Sequence, residues 1–251
     1  MCLSKMFLIN KRYNYSMTFS IADKLENVRA RIQKTTIASK KMPDSVHLLA
    51  ISKKHNAECL YEAIKCGLFD FGENYLSEAL AKQITLKGLC AETEYARVVW
   101  HFTGPIQSNK SRLIAENFAW VHTLARSKIV QRLNEQRPRD LPPLNCCIQV
   151  NIDEEDSKSG ILLGEVAALA EEINLAPNLC FRGLMCIPNS DQNEESLKAA
   201  FHRMATKFHE LKLVYPSVDI LSMGMSGDIE AAIECGSTMV RVGTAIFGGR
   251  A

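Results

Sequence analysis

The sequence lacks an apolar run approaching the length of a membrane-spanning helix, which argues against a helical membrane anchor. It also lacks charge of one sign. The 30 basic and 28 acidic side chains leave a formal net charge of +2, without the clustered basic excess of a generic nucleic-acid binder. Nine cysteines form an odd count with no CxxC pair and no regular spacing. Cys146 and Cys147 are adjacent in an apolar stretch that reads as a strand, so they point to opposite faces. A disulfide scaffold does not fit this pattern, whereas a reducing compartment does, and a cytoplasmic location is expected. His47, His55, His101, His122, His202 and His209 do not combine with these cysteines at zinc-ligand spacing, so no metal is expected. There is no repeat of 20–50 residues and no low-complexity segment. At 47% hydrophobic and 23% charged, the 251 residues read as an ordinary globular protein.

The first twenty residues stand apart. They carry Lys5, Lys11 and Arg12 and no acid, and the apolar stretch Met6-Phe7-Leu8-Ile9 is too short for a secretory core. With one arginine the segment is weakly compatible with an organellar presequence. The preferred expectation is a disordered N-terminal extension over 1–20, of the kind produced by translation upstream of Met17.

From Ser20 the pattern is regular. Ile21, Leu25, Val28 and Ile32 recur at helical spacing. Eight strand-like runs follow: Val46–Ser52, Phe69–Glu73, Val98–Thr103, Trp120–Leu124, Leu144–Ile152, Cys180–Ile187, Val218–Ser222 and Thr238–Gly243. Helical stretches separate them at Ala57–Cys66, Tyr75–Ile84, Ser108–Glu116, Ser127–Gln136, Leu163–Asn174, Glu194–Val214 and Ile229–Glu234, with Gly67 a stop and Ser108 a cap. Strict alternation predicts parallel strands with crossover helices. Eight units in about 230 residues match a single closed (β/α)₈ barrel, a TIM barrel. An open doubly wound sheet is the alternative. Its glycine fingerprint is missing, because Ser52-Lys53-Lys54-His55 follows the first strand. The barrel over 21–251 leaves no room for a second folded domain.

Lys53 ends the apolar run Leu48-Leu49-Ala50-Ile51-Ser52. A lysine just past a strand is usually a solvated loop residue. Strand alternation separates it from Lys54: if Leu49 and Ile51 face the interior, so does Lys53, and Lys54 faces out. The sequence does not choose the register. In the inward register, desolvation favours the neutral amine, which attacks aldehydes, and the aldehyde usually held this way is pyridoxal phosphate.

Barrel active sites lie at the C-terminal ends of the strands. Polar and glycine-rich residues gather there: Glu73-Asn74-Tyr75, Thr103-Gly104-Pro105, Lys158-Ser159-Gly160, Ser222 through Gly227, and Gly243-Thr244. The segment after strand seven, with Gly224, Ser226 and Gly227, reads equally as a phosphate cradle or as a capped structural helix. Asp228 and Glu230 in the same helical turn would repel a dianion if they turned inward. Arg241, flanked by Val240 and Val242, reads either as an arginine pointing out between helices or as a donor to a pyridine nitrogen. His101 and His122 read as structural histidines. Lys110 and Arg112 at a helix start hint at an anion, and Lys158 is either a surface-loop lysine or a second lysine over the site.

Together these motifs are specific. Leu49-Ala50-Ile51-Ser52-Lys53, Phe71-Gly72-Glu73-Asn74-Tyr75, Trp100 through Lys110, Ser157-Lys158-Ser159-Gly160, Arg182-Gly183-Leu184-Met185, Leu221 through Ser226 and Val240 through Gly248 resemble the pyridoxal phosphate homeostasis protein family. The resemblance implies a fold type III pyridoxal-phosphate-binding barrel, related to the N-terminal barrel of alanine racemase and lacking its C-terminal β domain. It implies a Schiff base at Lys53, Asn74 near the ring, Arg241 facing the pyridine nitrogen, and Ser222, Ser226, Gly243 and Thr244 holding the phosphate. Many members continue after the lysine with a threonine, a second lysine and a proline. Here those positions are Lys54-His55-Asn56.

The function so implied is cofactor (vitamin B6) homeostasis, with buffering or delivery of pyridoxal 5'-phosphate to dependent apoenzymes and no firmly established reaction. An amino-acid racemase is a second reading. It resembles a two-domain design with a base from the second domain, for which this sequence shows no counterpart. A cofactor-free interaction scaffold is a third. A monomer is expected from the near-neutral charge and the absence of an obvious apolar patch.

Overall fold

The computed structural model describes residues 20–155, 158–189 and 191–249. The expectation for 1–20 therefore falls, except for Ser20, outside the described residues, as does Ser157.

The first helix, α1 (Ile21–Ala38), starts where the sequence supplies a cap. The Ser20 hydroxyl accepts from the Asp23 N–H, and the Asp23 carboxylate accepts from the Ser20 N–H, so two otherwise orphaned donors are satisfied. Leu25, Val28 and Ile32 are buried along one stripe. Then the chain alternates: β1 (His47–Ile51), α2 (Ala57–Lys65), β2 (Asp70–Glu73), α3 (Leu76–Leu89) and a short α4 (Glu92–Tyr95). Next come β3 (Val99–Phe102), α5 (Ser111–Asn117), β4 (Trp120–Leu124), α6 (Ser127–Gln136) and β5 (Leu144–Val150). Last come α7 (Val166–Asn174), β6 (Leu179–Cys186), α8 (Glu194–Val214), β7 (Ile220–Ser222), α9 (Ile229–Glu234), β8 (Met239–Val242) and α10 (Thr244–Phe247).

All eight strands run parallel and close in sequence order, β8 returning to β1 with Leu49 opposite Arg241 and Ala50 opposite Val242. This is the eight-stranded barrel with interleaved helices that the alternation predicts. Period-2 side-chain geometry divides the core into two layers. Leu49, Trp120, Cys147, Met185, Ile220 and Met239 pack inside the barrel with Ile51 against them. Ala50, Phe71, Val121, Leu221 and Val240 belong to the larger layer between strands and helices. Each fully buried leucine-sized side chain in either layer contributes about 1.5–3 kcal/mol.

Local signals behave as expected at α2. Gly67 takes φ +74°, its N–H donates to the Ile64 carbonyl, and the Leu68 N–H donates to the Ala63 carbonyl. This left-handed stop is open to glycine at little cost. Ser108 differs from expectation. It lies in a single 3₁₀ turn (Ser108–Lys110), its carbonyl accepts from the Ser111 hydroxyl, and the α-helix starts only at Ser111. α3 runs past Ile84 because Leu86 is buried on the same face as Ala79 and Gln83. Among the described residues no helix is long and apolar enough to cross a membrane.

Candidate functional site

The two-layer core settles the register that the sequence left open. Leu49 and Ile51 face the barrel interior, so Lys53 follows them to the C-terminal mouth, while Lys54 is exposed with φ +65°. A cavity of about 260 Å³ opens at that mouth. Lys53, Asn74, Ser226, Arg241, Gly243 and Thr244 line it, together with apolar walls from Ile51, Met185, Ile187 and Met225. Six of the seven residues singled out from the sequence are thus brought to one cavity.

Ser222 is the exception. It is fully buried beneath the mouth, and its hydroxyl accepts from Arg241 Nη1 at 2.8 Å. It therefore orients the arginine and is not part of the cavity wall. Arg241 is 4% exposed, and Nη1 also donates to the Ser222 carbonyl while Nη2 donates to the Cys186 carbonyl, both at 2.8 Å. Three of the guanidinium's five donors are thus used. No carboxylate among the described residues pairs with it. Burial pulls its pKa below the usual arginine value.

Asn74 follows β2, and its side-chain oxygen accepts from the Thr103 hydroxyl at 2.9 Å. That bond turns the amide nitrogen away from Thr103 and leaves it free to donate. Thr103, at the end of β3, also lines the cavity. His55, in the place of the family's second lysine, lines it too and packs its ring 5.1 Å from Phe247 of α10.

The loop after β7 has the form of an anion cradle. Gly224 takes φ +96°, and an added Cβ would stand 2.5 Å from the Ala232 Cβ, so only glycine fits. The N–H groups of Ser226 and Gly227 have no acceptor among the described residues. Of the two acids that counted against a cradle, Glu230 is engaged elsewhere and Asp228 within the loop itself. Glu230 forms a two-pronged pair with Arg31 of α1, 2.8 Å on each side. Asp228 accepts from the Met225 N–H, and burial raises its pKa. Arg31 also donates to the Ser226 carbonyl at 3.3 Å, bracing the loop from α1.

Lys158 is held by Asp153 at 3.0 Å and Glu155 at 3.4 Å, and it does not line the cavity. Arg112 lies 3.9 Å from Glu116, one turn along α5, and Lys110 is exposed, so neither reaches the mouth. His101 and His122 lie inside the barrel. His101 Nε2 contacts Asp70 Oδ1 at 3.1 Å, and His101 Nδ1 contacts His122 Nε2 at 2.9 Å. Burial lowers both pKa values, that of His122 the more. The thiols of Cys147 and Cys186 are pushed up to about 12 by burial, so neither is a nucleophile at neutral pH.

Sequence reasoning missed one buried cluster directly behind the mouth. Lys82 of α3, 5% exposed, donates to the Ser52 carbonyl at 2.8 Å and pairs with Glu73 and, at 3.1 Å, with Glu78. A lysine on an outer helix gives no sequence signal of burial. The alternation that sends Gly72 and Asn74 inward sends Glu73 outward to meet it.

The residues of the mouth suit a phosphorylated pyridine aldehyde. They offer an amine, spare guanidinium donors at the cavity floor, and unpaired N–H groups in a loop where a Cβ at Gly224 would not fit. Comparison with known proteins points the same way. Residues 24–251 match the family model described as alanine racemase, N-terminal domain. The chain is similar to proteins named pyridoxal phosphate homeostasis protein from Vibrio alginolyticus (49% identical, 92% of this chain and 98% of the relative) and Pseudomonas aeruginosa (50% identical, 92% and 96%). It is also similar to the structure of PipY from Synechococcus elongatus with pyridoxal phosphate bound, with TM-score 0.77 and 31% identity over 91% of this chain and 100% of that one.

Proposed function

The chain belongs to the pyridoxal phosphate homeostasis protein family, and from that premise we propose that it holds pyridoxal 5'-phosphate at the barrel mouth as a Schiff base on Lys53 and buffers or delivers it to dependent apoenzymes. The observation that carries this reading is the convergence of Lys53 and Arg241 on one cavity with the Ser226–Gly227 and Gly243–Thr244 loops. When bound, the cofactor supplies an aldehyde that condenses with amines and a ring that can draw electrons from them.

The protein's own groups have distinct tasks. Lys53 offers the amine at the end of an apolar strand, where it lines the cavity. Arg241 has donors and no acceptor, so a nitrogen it faces is held without a proton. That arrangement restrains chemistry and suits a carrier. The Ser226 and Gly227 N–H groups, with the Thr244 hydroxyl, hold the phosphate. Asn74, turned by Thr103, donates beside the ring. Gly227 and Thr244 are exposed at the rim, which supports exchange with the medium and hand-over to a second protein. The free buried thiols of Cys146, Cys147, Cys186 and Cys235 fit a reducing, cytoplasmic setting.

The test is an absorption spectrum after incubation with the cofactor, followed by borohydride reduction and peptide mapping. The expected result is a visible band that borohydride abolishes, a reduced adduct at Lys53, and no band in Lys53→Ala. A wild type that stays colourless would overturn the reading.

A further inference from the structure

Ser52, the residue before Lys53, is fully buried and has every polar atom occupied. Its N–H donates to the Gly72 carbonyl at 3.0 Å, and its hydroxyl donates to Glu73 at 2.6 Å. Its carbonyl accepts from both Lys82 Nζ at 2.8 Å and the His55 N–H at 3.1 Å. On the other side of Lys53, the Lys54 N–H donates to Glu78 at 2.5 Å while the residue sits in the left-handed region at φ +65°. A non-glycine residue there is strained and persists only when its surroundings hold it. Lys82 joins the two sides, because the same ammonium pairs with Glu73 and Glu78. None of these three charged side chains lines the cavity.

We propose that Glu73, Lys82 and Glu78 form a clamp that fixes the backbone on both sides of Lys53, so that this lysine and not its neighbour Lys54 presents its amine to the cavity. The three are positioning residues. They act from the outer face of the wall, between β1, β2 and α3, and hold the turn that carries the reactive side chain. Without the Lys82 contact the Ser52 carbonyl loses a charged donor, and without Glu78 the strained Lys54 conformation loses its anchor. The turn is then free to leave the left-handed conformation at Lys54, and the side chains of Lys53 and Lys54 lose their fixed directions. The clamp thus confers selectivity between two adjacent amines of the same chemistry. This inference rests on the cofactor reading of Lys53 given above.

The experiment uses the full chain loaded with pyridoxal 5'-phosphate. Borohydride-trapped adducts are mapped to Lys53 or Lys54, and affinity is read from titration of the visible band. Wild type is the control for the cofactor reading itself: absence of any adduct there refutes that reading, independently of the clamp. Lys82→Met is expected to weaken affinity about tenfold and to move part of the adduct from Lys53 to Lys54. Lys82→Arg, which keeps the charge and the donors, restores Lys53 as the main site. Glu78→Ala, at the partly exposed end of the cluster, weakens affinity about threefold with a smaller shift of adduct. A purely structural role would lower the melting temperature without moving adduct between lysines. A folded Lys82→Met that binds within twofold of wild type and labels Lys53 alone overturns the proposal. Should Lys82→Met fail to fold, Glu78→Ala decides: a shift of adduct to Lys54 supports the clamp, and an unchanged pattern and affinity refute it.

Discussion

Two cations are buried on opposite faces of the same barrel wall, and their partners differ in kind. Lys82, outside, is met by the carboxylates of Glu73 and Glu78. Arg241, inside, is met by two carbonyls and a hydroxyl, with no carboxylate in pairing contact among the described residues. A buried charge without a counter-ion is costly and persists where something outside the fold repays it. The neutralised cation serves the scaffold. The unneutralised one marks the place where a ligand with acceptor or anionic groups is expected. What each is paired with separates the two, and position completes the reading, because Arg137, equally buried and met only by carbonyls, lies away from the cavity and ties α5 to the segment after α6.

Removing partners should break this comparison in opposite ways. Glu73→Ala leaves Lys82 buried with its main counter-ion gone, and the unliganded protein should lose about 3–5 kcal/mol, read as a shift in the urea midpoint. Arg241→Met takes away a cation that had no counter-ion but strands three acceptors. Its cost to the unliganded protein should be smaller, about 1–3 kcal/mol, while retention of the cofactor, measured by gel filtration and absorbance, should be lost. Equal stability losses for the two variants would show that the distinction is empty.

Solution pH sharpens it further. Burial lowers the pKa values of His101 and His122 from the ordinary 6.5, so the unfolded chain binds more protons than the folded one below that pH. The stability they contribute is therefore complete above pH 6.5 and is lost as pH falls toward their depressed folded values. The loss is about 1.4 kcal/mol per pH unit for each histidine that remains neutral in the fold. Urea midpoints between pH 7 and 5 should show this slope, and His122→Phe should flatten it. The smallest effect is expected at Lys158, whose ammonium is tied to Asp153 and Glu155 away from the mouth. Lys158→Ala should change stability by less than about 0.5 kcal/mol and leave cofactor retention intact. A marked loss of retention would place Lys158 over the site after all.

Much of the barrel was legible because its information is local. Period-2 runs, the Ser20 cap and the Gly67 stop each act within a few residues. The site was legible to the extent that it follows from strand parity, which carries Lys53, Asn74, Arg241 and Gly243 to one end. What escaped depends on contacts between distant segments. Ser222 was expected at the phosphate, but Arg241, two residues beyond its β8 pairing partner Met239, reaches back to take its hydroxyl. Arg31 bracing the Ser226 loop joins the first described helix to the seventh connection, and no spacing rule announces it. Lys82 looks like any surface lysine of an amphipathic helix until the fold sets Glu73 opposite.

Lys53 follows β1 and Arg241 lies on β8, the two strands whose pairing closes the ring. The cavity lining is therefore drawn from both sides of the joint that closes the ring, between segments of very large sequence separation, the kind of contact that slows folding. A chain still being synthesised holds the amine long before it holds the guanidinium, so it has no site until the final strand docks. A ligand that recognises only the closed ring draws the folding equilibrium toward completion by mass action. On the proposed function, cofactor supply would then act as a chaperone-like influence on newly made chains.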